Sequence, residues 1–195
     1  MSVALKTPPA QMTVAEFREW DSGDVSGRRW QLVNGEPVAM APAAENHGAI
    51  QSELERLIGN HLVDRGSRCR VISEPGIIPR VRAAENWRIP DVAVTCAPAT
   101  GSHEVVEPVL LVEILSPGNH RLTRANVFTC TTVPSVQEIL VVHSTRIEAE
   151  LLRRLPDLSW PAQPLVLHDG EALALESIGM TLPVRAMYRT TSLAL

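Results

Sequence analysis

Two acidic residues stand where a folded chain does not place a carboxylate without compensation. Glu113 lies inside Val109-Leu-Leu-Val-Glu-Ile-Leu115, a nearly unbroken apolar run. Burying an uncompensated carboxylate in such a strand costs several kcal/mol, so Glu113 needs a metal, a cation or hydrogen-bond donors. Asp91 follows Pro90 and opens a second apolar stretch that ends at Thr95. Side chains alternate along a strand, so Leu111, Glu113 and Leu115 share one face, and adjacent strands about 4.8 Å apart can bring Asp91 beside Glu113. Two carboxylates converging in this way suit a hard divalent cation such as Mg²⁺ or Mn²⁺.

Each candidate also has a plainer role. Asp91 suits a strand-entry turn, and Glu113 suits a buried pair with arginine. Glu74, ahead of Pro75-Gly76, reads equally as a strand-end residue or as a third acid. His47 falls on the apolar side of a predicted helix, as a core histidine or as a ligand. His61, His103, His120, His143 and His168 show no metal spacing and read as surface or structural residues. Ser116 precedes Pro117 without a Gly-x-Ser-x-Gly elbow, so a serine hydrolase is not expected. Cys69, Cys96 and Cys130 are an odd number at wide spacings with no C-x-x-C, and the expectation is buried, reduced thiols.

The elements that must position these residues are legible in part. Thr13 and Glu16 form a capping-box pattern ahead of Val14, Phe17 and Trp20, which predicts a short helix over 12–20 lying as a lid on the sheet. Asn34-Gly35 between two apolar runs predicts a type I′ hairpin within 29–40. Ile50, Leu54, Leu57, Ile58 and Leu62 mark an amphipathic helix from Glu45 to near Gly66. Strands are expected over 69–74, 77–81, 90–95, 109–115, 138–143 and 148–154, with a helix over 121–132 stopped by Pro134. Beyond Pro156 the sequence is proline-rich, with a short strand pair around Asp169-Gly170 and a helical turn near 184–188.

A chain of 195 residues suits one domain and buries roughly 70% of its unfolded surface. The expected division is a single α/β unit over 1–195, with 1–11 as an N-terminal segment and 156–195 as a peripheral extension. With 45% apolar and 21% charged residues the chain reads as a soluble globule, and no run approaches the roughly 18 apolar residues of a membrane span. The first twenty residues lack a signal-peptide core, which makes the cytoplasm the expected location. Seven aromatics are too few for the stacking platforms of single-strand nucleic-acid binders. The basic residues are 17 Arg and one Lys, and Lys6 precedes the first recognisable element, so a mechanism that needs a lysine in the folded body is not expected. Net charge is −4, yet residues 61–90 carry six Arg against Asp64, Glu74 and Glu85, a local basic surface or a set of solvated arginines.

Taken in order, Met12-Thr-Val-Ala-Glu-Phe17, Trp30-Gln-Leu-Val-Asn-Gly-Glu36, His47, Ser73-Glu-Pro-Gly76, Pro90-Asp-Val-Ala-Val94, Leu111-Val-Glu-Ile-Leu-Ser-Pro117 and Val133-Pro-Ser-Val-Gln-Glu138 resemble the Uma family of restriction endonucleases. That family is a branch of the PD-(D/E)XK nuclease superfamily. The resemblance implies a restriction-endonuclease-like fold, a mixed α+β sheet flanked by helices, in which Asp91 and Glu113 hold Mg²⁺ or Mn²⁺ at a phosphodiester. Glu74, Glu36 and His47 are carried over as accessory positions. The superfamily lysine two residues after the second acid is Leu115 here. The lysine this family supplies from the following helix falls on Asn126, and a neighbouring tyrosine falls on Cys130. The family's Tyr-Glu-Leu becomes Trp30-Gln31-Leu32. An Asn amide is uncharged and hardly accepts a proton, while Arg121 or Arg124 restores charge without acting as a base. On this reading Asn126→Lys restores the missing cation. The implied function is a Mg²⁺-dependent DNA endonuclease acting as a homodimer, away from membranes. The alternative is a non-catalytic descendant that binds nucleic acid or dimerises.

Overall fold

In the computed structural model, which describes residues 11–25 and 27–194, a six-stranded sheet carries most of the chain. Lys6 lies outside the described residues. The sheet is assembled from β3 (Arg70–Ser73), β4 (Val92–Thr95), β5 (Pro108–Leu115), β6 (Glu138–His143), β7 (Glu148–Arg153) and β8 (Leu165–His168), adjacent in that order. Only β5 and β6 run parallel, and the crossover between them is α3 (His120–Cys130). The other four pairings are antiparallel.

The apolar run of β5 is covered on both faces, as its lack of alternation requires. Leu110, Val112 and Ile114 pack with Ile50, Leu54, Ile58 and Leu62 of α2 (Glu45–Asp64), while Leu111 and Leu115 pack with Val127 and Cys130 of α3. Glu113 therefore points to the α3 side. The periodicity of α2 is the predicted one, and the helix stops before Gly66, whose φ of +59° suits glycine.

At the N-terminal end, Thr13 accepts the Glu16 N–H and Glu16 accepts the Thr13 N–H, which closes the capping box of α1 (Val14–Glu19). The hairpin of β1 (Trp30–Val33) and β2 (Glu36–Ala39) turns on Asn34 and Gly35, both at positive φ as a type I′ turn demands. Met12, Val14, Leu32, Trp87 and Ile89 form one buried cluster, so α1 covers the hairpin and the Trp87 segment rather than the central sheet.

Three expectations are corrected. Residues 77–81 are not a strand: Ile77 makes a bridge to Arg88, and Pro79, which has no N–H, ends the pairing there. The strands flanking Asp169-Gly170 do not pair with each other; β8 joins β7, and β9 (Ala172–Leu175) joins β10 (Met180–Pro183). Residues after Pro156 are not merely peripheral, since Leu173, Leu175, Met180, Leu182, Val184, Met187 and Tyr188 are buried in the α2-side core. The final helical turn, Val184–Tyr188, is present as a 3₁₀ turn.

Cys69 and Cys96 form a disulfide, against the expectation of reduced thiols. The antiparallel register pairs Arg70 with Thr95, so the residues one step beyond are set opposite each other. A sequence separation of 27 gives no hint of this. Cys130 is a buried thiol, and burial pushes its pKa up.

Candidate functional site

The antiparallel register of β4 and β5 pairs Ala93 with Leu111 and Val92 with Val112. One step further sets Asp91 opposite Glu113. Asp91 is buried and well supplied with donors: its Oδ2 accepts the Ile114 N–H at 2.6 Å, and its Oδ1 lies 3.0 Å from His47 Nε2. His47, on the first turn of α2, meets Ser116 Oγ through Nδ1 at 3.2 Å, and Ser116 Oγ lies 3.1 Å from Ser144 Oγ. The Gln51 side chain adds a hydrogen bond to the Asp91 carbonyl. His47 thus fixes one carboxylate rather than filling an apolar slot.

Glu113 is poorly supplied. It is 5% exposed, and its Oε1 has no hydrogen-bond partner. Burial raises its pKa well above the carboxylate range, and the Asp91 charge adds to the rise; a hydrogen bond from Asn126 and the charge of Arg88 act in the opposite sense. A buried carboxylate oxygen without a donor, beside a second carboxylate, is the donor set that a hard divalent cation accepts. The residues present therefore fit Mg²⁺ or Mn²⁺.

Asn126, on α3, is buried beside this pair, with its Oδ1 accepting from Arg88 Nη1 at 2.9 Å. Sequence reading missed Arg88. Its side chain is among the largest that are fully buried, and Trp87-Arg88-Ile89 offers no signal of that fate. The bridge between Leu32 and Trp87 places Gln31 opposite Arg88 in register, and Gln31 is also buried, with its Oε1 unpartnered.

The remaining candidates are elsewhere or engaged. Glu74 is adjacent through its backbone, its N–H donating to the Asp91 carbonyl, but its carboxylate pairs with Arg29 at 2.8 Å. Glu36 is exposed on the hairpin. Arg121 is exposed, and Arg124 is bound to Glu150 by two hydrogen bonds of 2.5 Å. His143, read from the sequence as a surface or structural residue, lies with Glu148 and Glu150 so that one ligand atom of each falls within 4.8 Å of the others. Arg124 and Arg146 already neutralise those carboxylates, which makes this cluster a salt-bridge network separate from Asp91 and Glu113. The basic stretch is likewise dispersed: Arg65 and Arg70 bond backbone carbonyls, Arg82 pairs with Glu85, and Arg88 is internal. A groove of about 710 Å³ lined in part by Arg68, Arg80 and Glu104 shares no residue with the acidic pair.

Comparison with known proteins places this geometry. The chain is 29% identical over 187 residues to the "Uncharacterized protein slr1290" of Synechocystis sp. (strain ATCC 27184 / PCC 6803 / Kazusa), with 93% of this chain and 94% of the relative covered. It is similar in structure to "a putative nuclease belonging to DUF820" from Anabaena variabilis ATCC 29413, with a TM-score of 0.72 at 16% identity over 91% of this chain and 97% of the other. That likeness shows a restriction-endonuclease-like fold, as the sequence implied. A family profile described as "Uma2: Putative restriction endonuclease" matches residues 14–185, and with nearly the whole chain inside that match, this protein belongs to the Uma2 family.

Proposed function

We propose that this protein is a divalent-metal-dependent endonuclease that hydrolyses phosphodiester bonds in DNA, with Asp91 and Glu113 as the metal-holding pair. Family membership and the structural neighbour support a nuclease-type function. The observation that carries the finer reading is the buried, unpartnered Glu113 oxygen beside Asp91. When bound, a divalent cation supplies charge neutralisation at the phosphate and lowers the pKa of water. His47 and the Ile114 N–H hold the Asp91 carboxylate in its orientation. Glu113, whose pKa burial raises, would hold the ion as a carboxylate, so a bound proton would compete with the ion. Neither Asn126 nor Arg88 can accept a proton near neutral pH, so these two residues offer the attacking water no base and turnover is expected to be slow. Duplex cleavage often uses two such sites, and a homodimer on duplex DNA belongs to the proposal.

The test is nicking of supercoiled plasmid in Mg²⁺, in Mn²⁺ and in EDTA, for wild type and Asp91→Ala, with sedimentation on and off DNA. Nicking that needs metal and vanishes with Asp91→Ala is the expected result. DNA retention with no cleavage in either metal would favour the non-catalytic alternative.

A further inference from the structure

We propose that Arg88 is a functional cation of this site, with Asn126 as the spacer that holds the guanidinium one side chain behind the acidic pair. The inference rests on the nuclease reading above and concerns how negative charge gathering on the attacked phosphate is met. Arg88 donates to Asn126 Oδ1 at 2.9 Å and to Thr129 Oγ1 at 3.5 Å, and its Nε has no partner. Both partners are neutral. Among the described residues no carboxylate oxygen lies within 4.0 Å of the Arg88 guanidinium, whereas Arg124, Arg153 and Arg189 each reach one. A guanidinium in the interior without an ion pair is costly; burial acts against its charge, and Cys130 and Glu113, which offset that burial when ionised, make no ion pair with it.

The guanidinium and the Glu113 carboxyl are thus kept apart, not collapsed into an ion pair. Asn126 stands between them: its Oδ1 accepts from Arg88 Nη1, and its side chain lies close enough to Glu113 to favour the ionised carboxylate. Direct pairing of Arg88 with Glu113 would consume the carboxylate that a metal needs. The spacer leaves that oxygen available and keeps positive charge in reserve. The backbone is equally fixed, since Arg88 exchanges both hydrogen bonds with Ile77, and Trp87 exchanges both with Leu32. A lysine at 126 would then stand against Arg88 as a like charge. That revises the simple expectation that Asn126→Lys restores function.

The experiment compares wild type, Arg88→Met, Asn126→Lys and the double variant Arg88→Met/Asn126→Lys. Three readouts are taken: Mn²⁺ dissociation constant, metal-free melting temperature, and kcat and KM for plasmid nicking. Arg88→Met should bind Mn²⁺ at least as tightly as wild type, because a like charge is removed, while kcat falls about 10²–10³-fold, the usual cost of one preorganised charge-stabilising group. Asn126→Lys alone should lower the metal-free melting temperature. The double variant should recover that temperature and raise nicking at least about tenfold over Arg88→Met, toward the size of a single electrostatic contact. Loss of Mn²⁺ affinity in step with kcat in Arg88→Met would assign the arginine a merely structural role. Unchanged nicking in Arg88→Met, or a double variant no better than either single one, also overturns the inference. If Arg88→Met does not fold, Arg88→Lys replaces it: the retained charge should hold nicking within about tenfold of wild type, and a fall of the full 10²–10³-fold would count against the proposal. A wild type that neither binds Mn²⁺ nor nicks removes the nuclease reading and the inference with it, whereas a wild type that nicks while indifferent to Arg88→Met removes the inference alone.

Discussion

A proton on Glu113 is the metal's competitor. The unfolded carboxyl titrates near 4.3, about the ordinary value for glutamate, and the folded one is held well above it, by burial first and by Asp91 second. Between those two values the folded chain binds a proton that the unfolded chain has released, so metal-free stability falls as pH rises through the window. Mn²⁺ affinity should rise over the same window, because loading expels the proton. Glu113→Gln removes the charge at constant shape. It should raise the metal-free melting temperature at neutral pH by about 2–4 °C, the shift that roughly 1 kcal/mol produces in a chain of this size, and abolish the further rise that Mn²⁺ gives to wild type. Calorimetry with and without metal checks both, and strong destabilisation would instead make Glu113 a structural partner of Arg88. Glu113 was legible in the sequence because a charge in an apolar run contradicts its own surroundings. Arg88 was not, because its environment is supplied by Asn126 and Thr129, 38 and 41 residues away. The partners of Glu74 and Arg124 were illegible for the same reason, since Arg29 and Glu150 claim them only once the chain has folded.

At the level of elements, short-range signals carried the prediction and long-range pairing did not. Asn34-Gly35 and Thr13/Glu16 contain their own geometry, and the hairpin and α1 follow. Around Asp169-Gly170 the turn is real, yet β8 and β9 separate into different sheets, β8 pairing with β7 and β9 with β10. The joint between the C-terminal elements and the main sheet is Glu138 of β6. Its buried carboxylate accepts from Arg153 Nε at 2.8 Å and from the backbone N–H groups of Glu176 and Ser177 at 3.1 and 2.8 Å. Glu138→Ala should cost about 3 kcal/mol in urea unfolding, since it orphans several donors at once. Glu138→Gln, which keeps an acceptor, should fall between that variant and wild type. Equal stability of all three would show that β9 and β10 do not depend on this joint.

For the whole molecule, acid is the informative stress. The Arg56 and Arg189 hydrogen bonds hold Glu53 down at about 2, and the Arg124 hydrogen bonds, with His143, hold Glu150 at about 2 against its burial. Both carboxyls titrate near 4.3 when unfolded. The unfolded chain therefore binds more protons between about pH 4.5 and pH 2, and stability present above that range is lost as pH falls through it. The two groups fasten different joints, Glu53 linking α2 to Arg189 and Glu150 linking β7 to α3 and β6. Glu53→Gln and Glu150→Gln should each reduce stability at neutral pH and flatten its decline in acid. Titration of unfolding free energy against pH reads both, and acid slopes identical to that of wild type would show that neither group drives the transition. None of the described helices is long and apolar enough to cross a membrane.

The disulfide makes residues 69–96 a covalent ring, and Glu74, Arg88 and Asp91 all lie on it. The outermost part of that ring is 80–84, where every residue is exposed, Arg80 and Arg82 among them. A single tryptic cut there leaves Glu74 on one fragment and Arg88 with Asp91 on the other, still tied by the sulfurs and by the pairing of β3 with β4. Nicked in this way, the protein should run as one band on a non-reducing denaturing gel and as two when reduced. In native buffer it should keep its Mn²⁺ affinity, because Asp91 and Glu113 stay on one fragment while the β3–β4 pairing and the disulfide hold the other in place.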